Sequence, residues 1–469
     1  MSDVLERLRA ELGARVRTDA ESRNAHRRDS WVLEELHDLE GRPPPPPLAV
    51  VCAESTADVA SALRICRETR TPVVPFGGGS GVCGGIHVQE DSVVVSTRAM
   101  QGLVEFDRRD LVASFRAGTL GIDAEQRLQR EGLTIGHWPQ SIESSTVGGW
   151  VATRASGQFS TAYGSIEDLV FALEAVLPDG SVIRTRQTPR ASAGPDLRQI
   201  FLGSEGTLGI VTEVSFSLRP LPEARRGQTQ VFEDFASGLE AIRSFMAAGW
   251  RPPVVRLYDE AETRRNFADA CPEGNALLLL HEGPAAAVEV ELPAVAAFCA
   301  AAGARPGAAA LVDDWLEHRN QVPGFRGFLE KGIVLDTIEV AATWGRVTDL
   351  YERVTRSISE LPGVLAATAH SSHSYRSGTN LYFTFAVRPS ERGEMERVYL
   401  ECWRRTLRET VAVGGGIAHH HGIGRVRREA LASELGASGV TLLRTLKRAL
   451  DPDGLLNPGV LLPDAPEPS

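Results

Sequence analysis

The sequence predicts an α+β protein built from more than one packed unit, and three observations carry that prediction. Its 469 residues exceed what one hydrophobic core ordinarily serves, so two or three domains are expected. The first half alternates short strand-like runs with helical stretches and glycine-rich loops, while the second half strings strands and amphipathic helices in a pattern that suits an antiparallel sheet covered by helices. Hydrophobic residues make up 42% and charged residues 24%, the balance of a globular chain rather than a disordered one.

In order along the chain, Met1 to Val16 interleaves acids and arginines with leucines and reads as an amphipathic helix. Arg42 and the five prolines that follow form a stiff extended connector. A strand at 48–53, a helix at 56–68 and a strand at 72–76 make a β-α-β opening. Strands follow at 92–96, 103–106 and 111–116, with a helix at 122–131. Residues 171–177 and 181–185 flank Pro178-Asp179-Gly180, a strong hairpin signal. A strand at 209–218 closes this half at Arg219-Pro220. The second unit places strands at 228–232, 254–257 and 277–280, helices at 237–248, 286–302 and 391–410, and a hairpin at 363–387. The division expected is 1–45, 46–221, 222–413 and 414–469, the last carrying a glycine-histidine cluster.

A net charge of −11 gives no electrostatic support for nucleic-acid binding. The six cysteines are widely spaced without a Cys-x-x-Cys pair, so reduced thiols in a cytoplasmic protein are expected, not disulfides or zinc. No stretch reaches about 18 uninterrupted apolar residues. The final Glu467-Pro468-Ser469 is not a peroxisomal address.

Chemistry concentrates where the glycines do. There are 45, near a tenth of the chain against roughly 7% on average. Pro75-Phe76-Gly77-Gly78-Gly79-Ser80-Gly81 follows a strand directly, and consecutive glycines let several N–H groups converge on an anion. One such loop is as often a plain tight turn. Two more clusters, Gln140-Ser141-Ile142-Glu143-Ser144-Ser145-Thr146 running on to Thr153-Arg154-Ala155-Ser156, and Gly203-Ser204-Glu205-Gly206-Thr207-Leu208-Gly209, mix glycine with small hydroxyl residues. Three together suit a long, phosphate-bearing cofactor held mainly by backbone.

These loops, with Gly194-Pro195-Asp196, the segment Arg256-Leu257-Tyr258-Asp259, His419-His420-His421-Gly422 and the tail Asn457-Pro458-Gly459, resemble the FAD-binding flavoproteins of the vanillyl-alcohol-oxidase superfamily, most of all the alkyldihydroxyacetonephosphate synthase family. The resemblance implies a two-subdomain FAD-binding domain of the PCMH type plus an α+β cap with an antiparallel sheet. It implies FAD, cradled by the three loops at the positions named above. The first loop has no histidine before His87, so non-covalent FAD is expected. It further implies Tyr382, His419, His420 and His421 as catalytic residues, with Tyr375 as a rival for the tyrosine, and Arg256 and Arg326 as substrate-binding arginines.

The reaction so implied exchanges the acyl group of acyl-dihydroxyacetone phosphate for a fatty alcohol through a flavin N5 adduct. A phenol base there would need its pKa pushed down by neighbouring cations. The alternative is an FAD-dependent 2-hydroxy-acid dehydrogenase or oxidase of the D-lactate or glycolate type, whose metal-binding pattern is altered here at Tyr382 and His420. No metal is expected. The expected partner is a small lipid-like or hydroxy-acid molecule, with room left for peripheral membrane contact and a homodimer.

Overall fold

A computed structural model describes residues 2–321 and 324–463; the terminal Glu467-Pro468-Ser469 lies outside the described residues. Three larger sheets organise it. The first has strand order Val16–Arg17, Ala49–Cys52, Val93–Ser96, Val73–Phe76, parallel but for the antiparallel first pair. The helix Thr56–Glu68 makes the parallel crossover. Ser55 caps it, accepting from the N–H of Asp58, whose carboxylate accepts from the N–H of Ser55 in return.

The second sheet is antiparallel in the order Leu103–Asp107, Val112–Arg116, Ile210–Ser217, Val170–Val176, Val182–Arg184. Its core gathers Phe115, Trp150, Leu173, Phe201 and Phe216.

The third sheet is antiparallel throughout, with seven strands. They run Arg305–Pro306, Ala224–Phe232, Asn275–Gly283, Val254–Tyr258, Val364–Ser371, Gly378–Val387, Val334–Thr343. Its alternation is strict, because successive side chains in a strand point to opposite faces. Val255, Leu257, Leu277, Leu279, Leu381, Phe383 and Phe385 pack with the helices Phe235–Ala248, Trp344–Ser359 and Met395–Ala412. The intervening positions face the other way, towards the rest of the molecule, where Val254, Tyr258, Leu278 and Leu280 meet Phe159, Val312 and Trp315.

The chain ends bind this arrangement together. Val73 N–H donates to Leu455 and Asn457 N–H to Val73, so the tail returns to the first sheet. Among the described residues no helix is long and apolar enough to cross a membrane.

Candidate active site

The face of the third sheet turned away from the helices Phe235–Ala248, Trp344–Ser359 and Met395–Ala412 is one wall of a cavity of about 1110 Å³. Across four adjacent strands, register places Tyr258 beside His370, His370 beside Tyr382, and Tyr382 beside Glu339. This row exists because Phe383 and Phe385 turn into the helical layer and send Tyr382 and Thr384 to the cavity. The His370 and Tyr382 rings stack at 4.9 Å and 24°.

Over this row folds the loop containing His419, His420 and His421. Oε1 of Glu339 accepts from the backbone N–H of His420 (3.2 Å) and His421 (2.8 Å), and at 3.4 Å from His419. Nδ1 of His421 lies 2.9 Å from Oε2 of Glu339, and its Nε2 lies 3.4 Å from the Tyr382 hydroxyl. Arg427 forms an ion pair with the same carboxylate, both side chains being fully buried. Burial alone would raise the Glu339 pKa, but Arg427 and His421 hold it well below the usual carboxylate range. Glu339 is therefore the anion on which the histidine loop is built.

His419, His420 and His373 are neutral imidazoles. Burial lowers His419 to about 4 and puts His420 and His373 well below their ordinary value, with neighbouring imidazoles adding to the last two. His419 binds the Tyr375 hydroxyl through Nε2 (2.7 Å) and its Nδ1 is 2.8 Å from Nδ1 of His420. His373 binds Ser160 through Nδ1 at 2.6 Å. His373, His419 and His420 each offer a ring nitrogen within 4.8 Å of the others, a donor set that could hold a borderline divalent ion.

The expected lowering of the Tyr382 pKa is reversed. Burial drives the phenol up, Glu339 and Asp336 add to the rise, and the Thr337 hydroxyl, which donates to it at 3.1 Å, offsets only part. No cation sits close enough to win.

The opposite wall is made of the glycine loops. Pro75 to Gly81, Gln140, Ser141, Ser144 to Thr146, Thr153, Ala155, Ser156, Ser204 to Gly206 and Gly209 line the cavity. Among the described residues, no protein group accepts the backbone N–H of Gly77, Gly78, Gly79, Ser80 or Gly81. Five backbone amides without a protein acceptor on a cavity wall suit an anion such as a pyrophosphate. A Cβ on Gly78 would stand 2.1 Å from the carbonyl oxygen of Ser144, so only glycine lets the first two loops touch.

Two domain patterns match the sequence: one described as FAD binding domain over residues 47–186, and one described as the C-terminal domain of FAD linked oxidases over 221–461. An uncharacterized FAD-linked oxidoreductase, YgcU of Escherichia coli (strain K12), is 34% identical, the match covering 89% of this chain and 90% of that protein.

The chain belongs to the FAD-linked oxidase family.

It is an enzyme of that family, and FAD is its cofactor. Alkyldihydroxyacetonephosphate synthase of Trypanosoma brucei brucei is 29% identical over 96% of this chain and 79% of its own. Glycolate oxidase subunit GlcD of Bacillus subtilis (strain 168) is 27% identical over 88% of each. A solved structure of alkyldihydroxyacetonephosphate synthase superposes with a TM-score of 0.81 at 26% identity, covering 98% of this chain and 84% of that one. p-Cresol methylhydroxylase with substrate bound shares the fold, with a TM-score of 0.77 at 18% identity over 98% and 96% of the two chains. The PCMH-type reading of the fold holds.

Several positions expected at the flavin lie elsewhere. Ile142 and Leu208 are buried in packing, and Glu143 is exposed. Arg154 caps the helix Val147–Thr153 with a left-handed backbone (φ 53°) and turns to Glu167, where it packs over Gly203. Thr207 spends its hydroxyl on the Ser204 carbonyl. His419 reaches the site only through its neighbours.

Arg326 is also misplaced by the sequence reading. It is exposed on the short helix Arg326–Glu330, pairs with Glu330, and does not line the cavity. Arg319 does line it. Its guanidinium lies over the rings of Trp138 (4.9 Å) and Phe159 (5.3 Å), and its Nη1 donates to Gln158. Nε is buried without a partner, and among the described residues no carboxylate pairs with it. Burial, then Arg225, lowers its pKa to about 10, which still leaves it cationic at neutral pH.

The N-terminal segment was not expected at the site. Ser30 donates its N–H to Gly81 (2.8 Å) and its hydroxyl to Gly79 (3.0 Å), while Asp29 accepts from the N–H of Gly85 (2.8 Å). It clamps the first glycine loop from behind.

Proposed function

We propose that the enzyme is an alkyldihydroxyacetonephosphate synthase-like transferase, exchanging the acyl group of acyl-dihydroxyacetone phosphate for a fatty alcohol, with FAD bound non-covalently. Bound at the glycine loops, the flavin supplies an electron sink for a carbon that has lost a proton. The observation that carries the reading is the chain Glu339–His421–Tyr382 on the cavity wall. A buried phenol with a raised pKa is a poor base by itself. It can take the substrate α-proton only if its own proton passes to Nε2 of His421, and the Glu339 carboxylate 2.9 Å from Nδ1 stabilises the imidazolium that forms. The same path returns the proton when the ether forms.

Arg319, an unpaired guanidinium, supplies a site for the substrate phosphate. Phe325 and Phe328 line the cavity, and Phe328 is 43% exposed, an apolar lining that suits a fatty chain drawn from a membrane surface.

A second reading, a 2-hydroxy-acid dehydrogenase, draws on the His373–His419–His420 group, since neutral imidazoles are metal ligands. One anaerobic experiment separates the two. Holoenzyme is mixed with acyl-dihydroxyacetone phosphate and a fatty alcohol, and separately with 2-hydroxy acids, while flavin absorbance and released fatty acid are followed. Fatty-acid release without net flavin bleaching is expected, and Tyr382→Phe should abolish it with FAD still bound. Bleaching by a hydroxy acid, reversed by an electron-accepting dye, would replace the first reading with the second.

A further inference from the structure

Beside the proton path runs a second chain of buried polar groups to which the mechanism above assigns no role. Glu262 is buried on the helix Glu260–Phe267, and its Oε2 lies 2.7 Å from Nδ1 of His370. Nε2 of His370 lies 2.8 Å from Nη2 of Arg256. Nε of Arg256 donates to the Tyr258 hydroxyl at 2.9 Å. The other oxygen of Glu262 accepts from Thr368 (3.0 Å), Thr384 (2.7 Å) and Arg265 (2.9 Å), so the carboxylate cannot move.

These contacts determine one protonation pattern. A guanidinium only donates, so Nε2 of His370 must be the acceptor. The ring proton then sits on Nδ1 and is donated to Glu262. Burial, with Arg256 adding, keeps the imidazole neutral, and the carboxylate stays ionised.

Arg256 itself has no carboxylate partner among the described residues. It lies over the rings of Tyr258 (5.3 Å) and Trp315 (5.4 Å) and lines the cavity. Two of its five N–H donors are spent on His370 and Tyr258, and the rest are available at the wall. An arginine held by a neutral acceptor keeps its full charge for a ligand, whereas one held by a carboxylate would be neutralised.

We propose that His370 and Glu262 are positioning residues that fix Arg256 for a two-oxygen anionic group of the substrate, phosphate or carboxylate. The inference rests on the cavity being the substrate site. His370 also stacks on Tyr382, so the anion is placed in register with the proton acceptor.

The test is equilibrium binding to the holoenzyme, read from the flavin difference spectrum, with inorganic phosphate, glycerol phosphate and D-lactate as separate probes. His370→Phe keeps the ring against Tyr382 and removes the acceptor. It should weaken the anion that binds by about tenfold or more, with FAD content unchanged. His370→Gln, whose amide oxygen can accept from Arg256, should retain affinity within about threefold. Arg256→Ala should lose as much as His370→Phe, and the double variant should lose no more than Arg256→Ala alone, because the two act as one unit. With turnover substrate, KM should rise while kcat changes little. Unchanged binding in His370→Phe, or losses that add in the double variant, would overturn the inference alone. A wild-type holoenzyme that binds none of the three anions would overturn it together with the anionic-substrate reading of the cavity. The probe that binds identifies the headgroup.

Discussion

Arg319 and Arg326 are seven residues apart and differ in everything that matters to an anion. Arg326 has a side chain 54% exposed and an i,i+4 partner in Glu330, a pair worth about 0.3–0.5 kcal/mol. Arg319 lies over aromatic rings at the cavity and has no carboxylate partner among the described residues. Arg319→Ala is therefore expected to raise KM about tenfold or more, and Arg326→Ala to leave it within about twofold, in steady-state assays with the phosphate-bearing substrate. The reverse ranking would sink the assignment. Sequence could not rank them, because a guanidinium's availability depends on which carboxylates approach it in space. Tyr382 shows the same limit: it was named from the sequence, but the direction of its pKa is set by burial, with Glu339 and Asp336 adding to the rise.

At the scale of elements, the hairpin expected at 363–387 is formed by Val364–Ser371 and Gly378–Val387, and the helix expected at 56–68 is Thr56–Glu68. The strand Val334–Thr343 was not expected. Its buried Asp336 and Glu339 interrupt the apolar pattern, and both rely on distant groups: Tyr399 and Trp403 for one, Arg427 and the histidine loop for the other. The glycine loops were legible as loops, but their mutual contact was not. Gly78→Ala should drive the first loop from the second, since its Cβ would meet a backbone oxygen that cannot rotate away. The expected outcome is a folded protein with FAD affinity reduced by about 2 kcal/mol, roughly 30-fold. Flavin titration of the apoprotein measures it, and wild-type affinity would refute the close-contact account.

At the scale of the whole molecule, the N-terminal segment joins the flavin loop to the third sheet's helices. Trp31 donates its indole N–H to Tyr399 at 2.9 Å, and Glu34 pairs with Arg425 of the histidine-bearing segment. Burial raises Asp29 to about 6, Glu34 to about 8 and Glu205, which accepts from Ile423 and Gly424, to about 7. Unfolded carboxyls titrate near 4, so between about pH 4 and 8 the folded state holds more protons than the unfolded one. The stability these groups add is full below about pH 4 and is lost as pH rises through about 6 to 8. Amide exchange in residues 26–40, corrected for the intrinsic rate, should be faster at pH 8 than at pH 6, and Asp29→Asn should flatten that difference. Equal protection at both pH values would rule the coupling out.

The sequence by itself determined the α+β class and, through the family resemblance, FAD as the cofactor, and it named the glycine loops, Tyr382 and the histidine loop that the structure gathers around one cavity. The class and the loops follow from residue period and glycine content, which are local; the roles of the tyrosine and the histidines rest on the resemblance carried by short motifs. Tertiary structure alone decided that Arg319 and not Arg326 lines the cavity, that Glu339 gathers the histidine loop, that His421 stands between Glu339 and Tyr382, and that Asp29 and Ser30 bond the segment around the first glycine loop. Each of these depends on the distance between charges far apart in the chain and on the water that folding removes from around them.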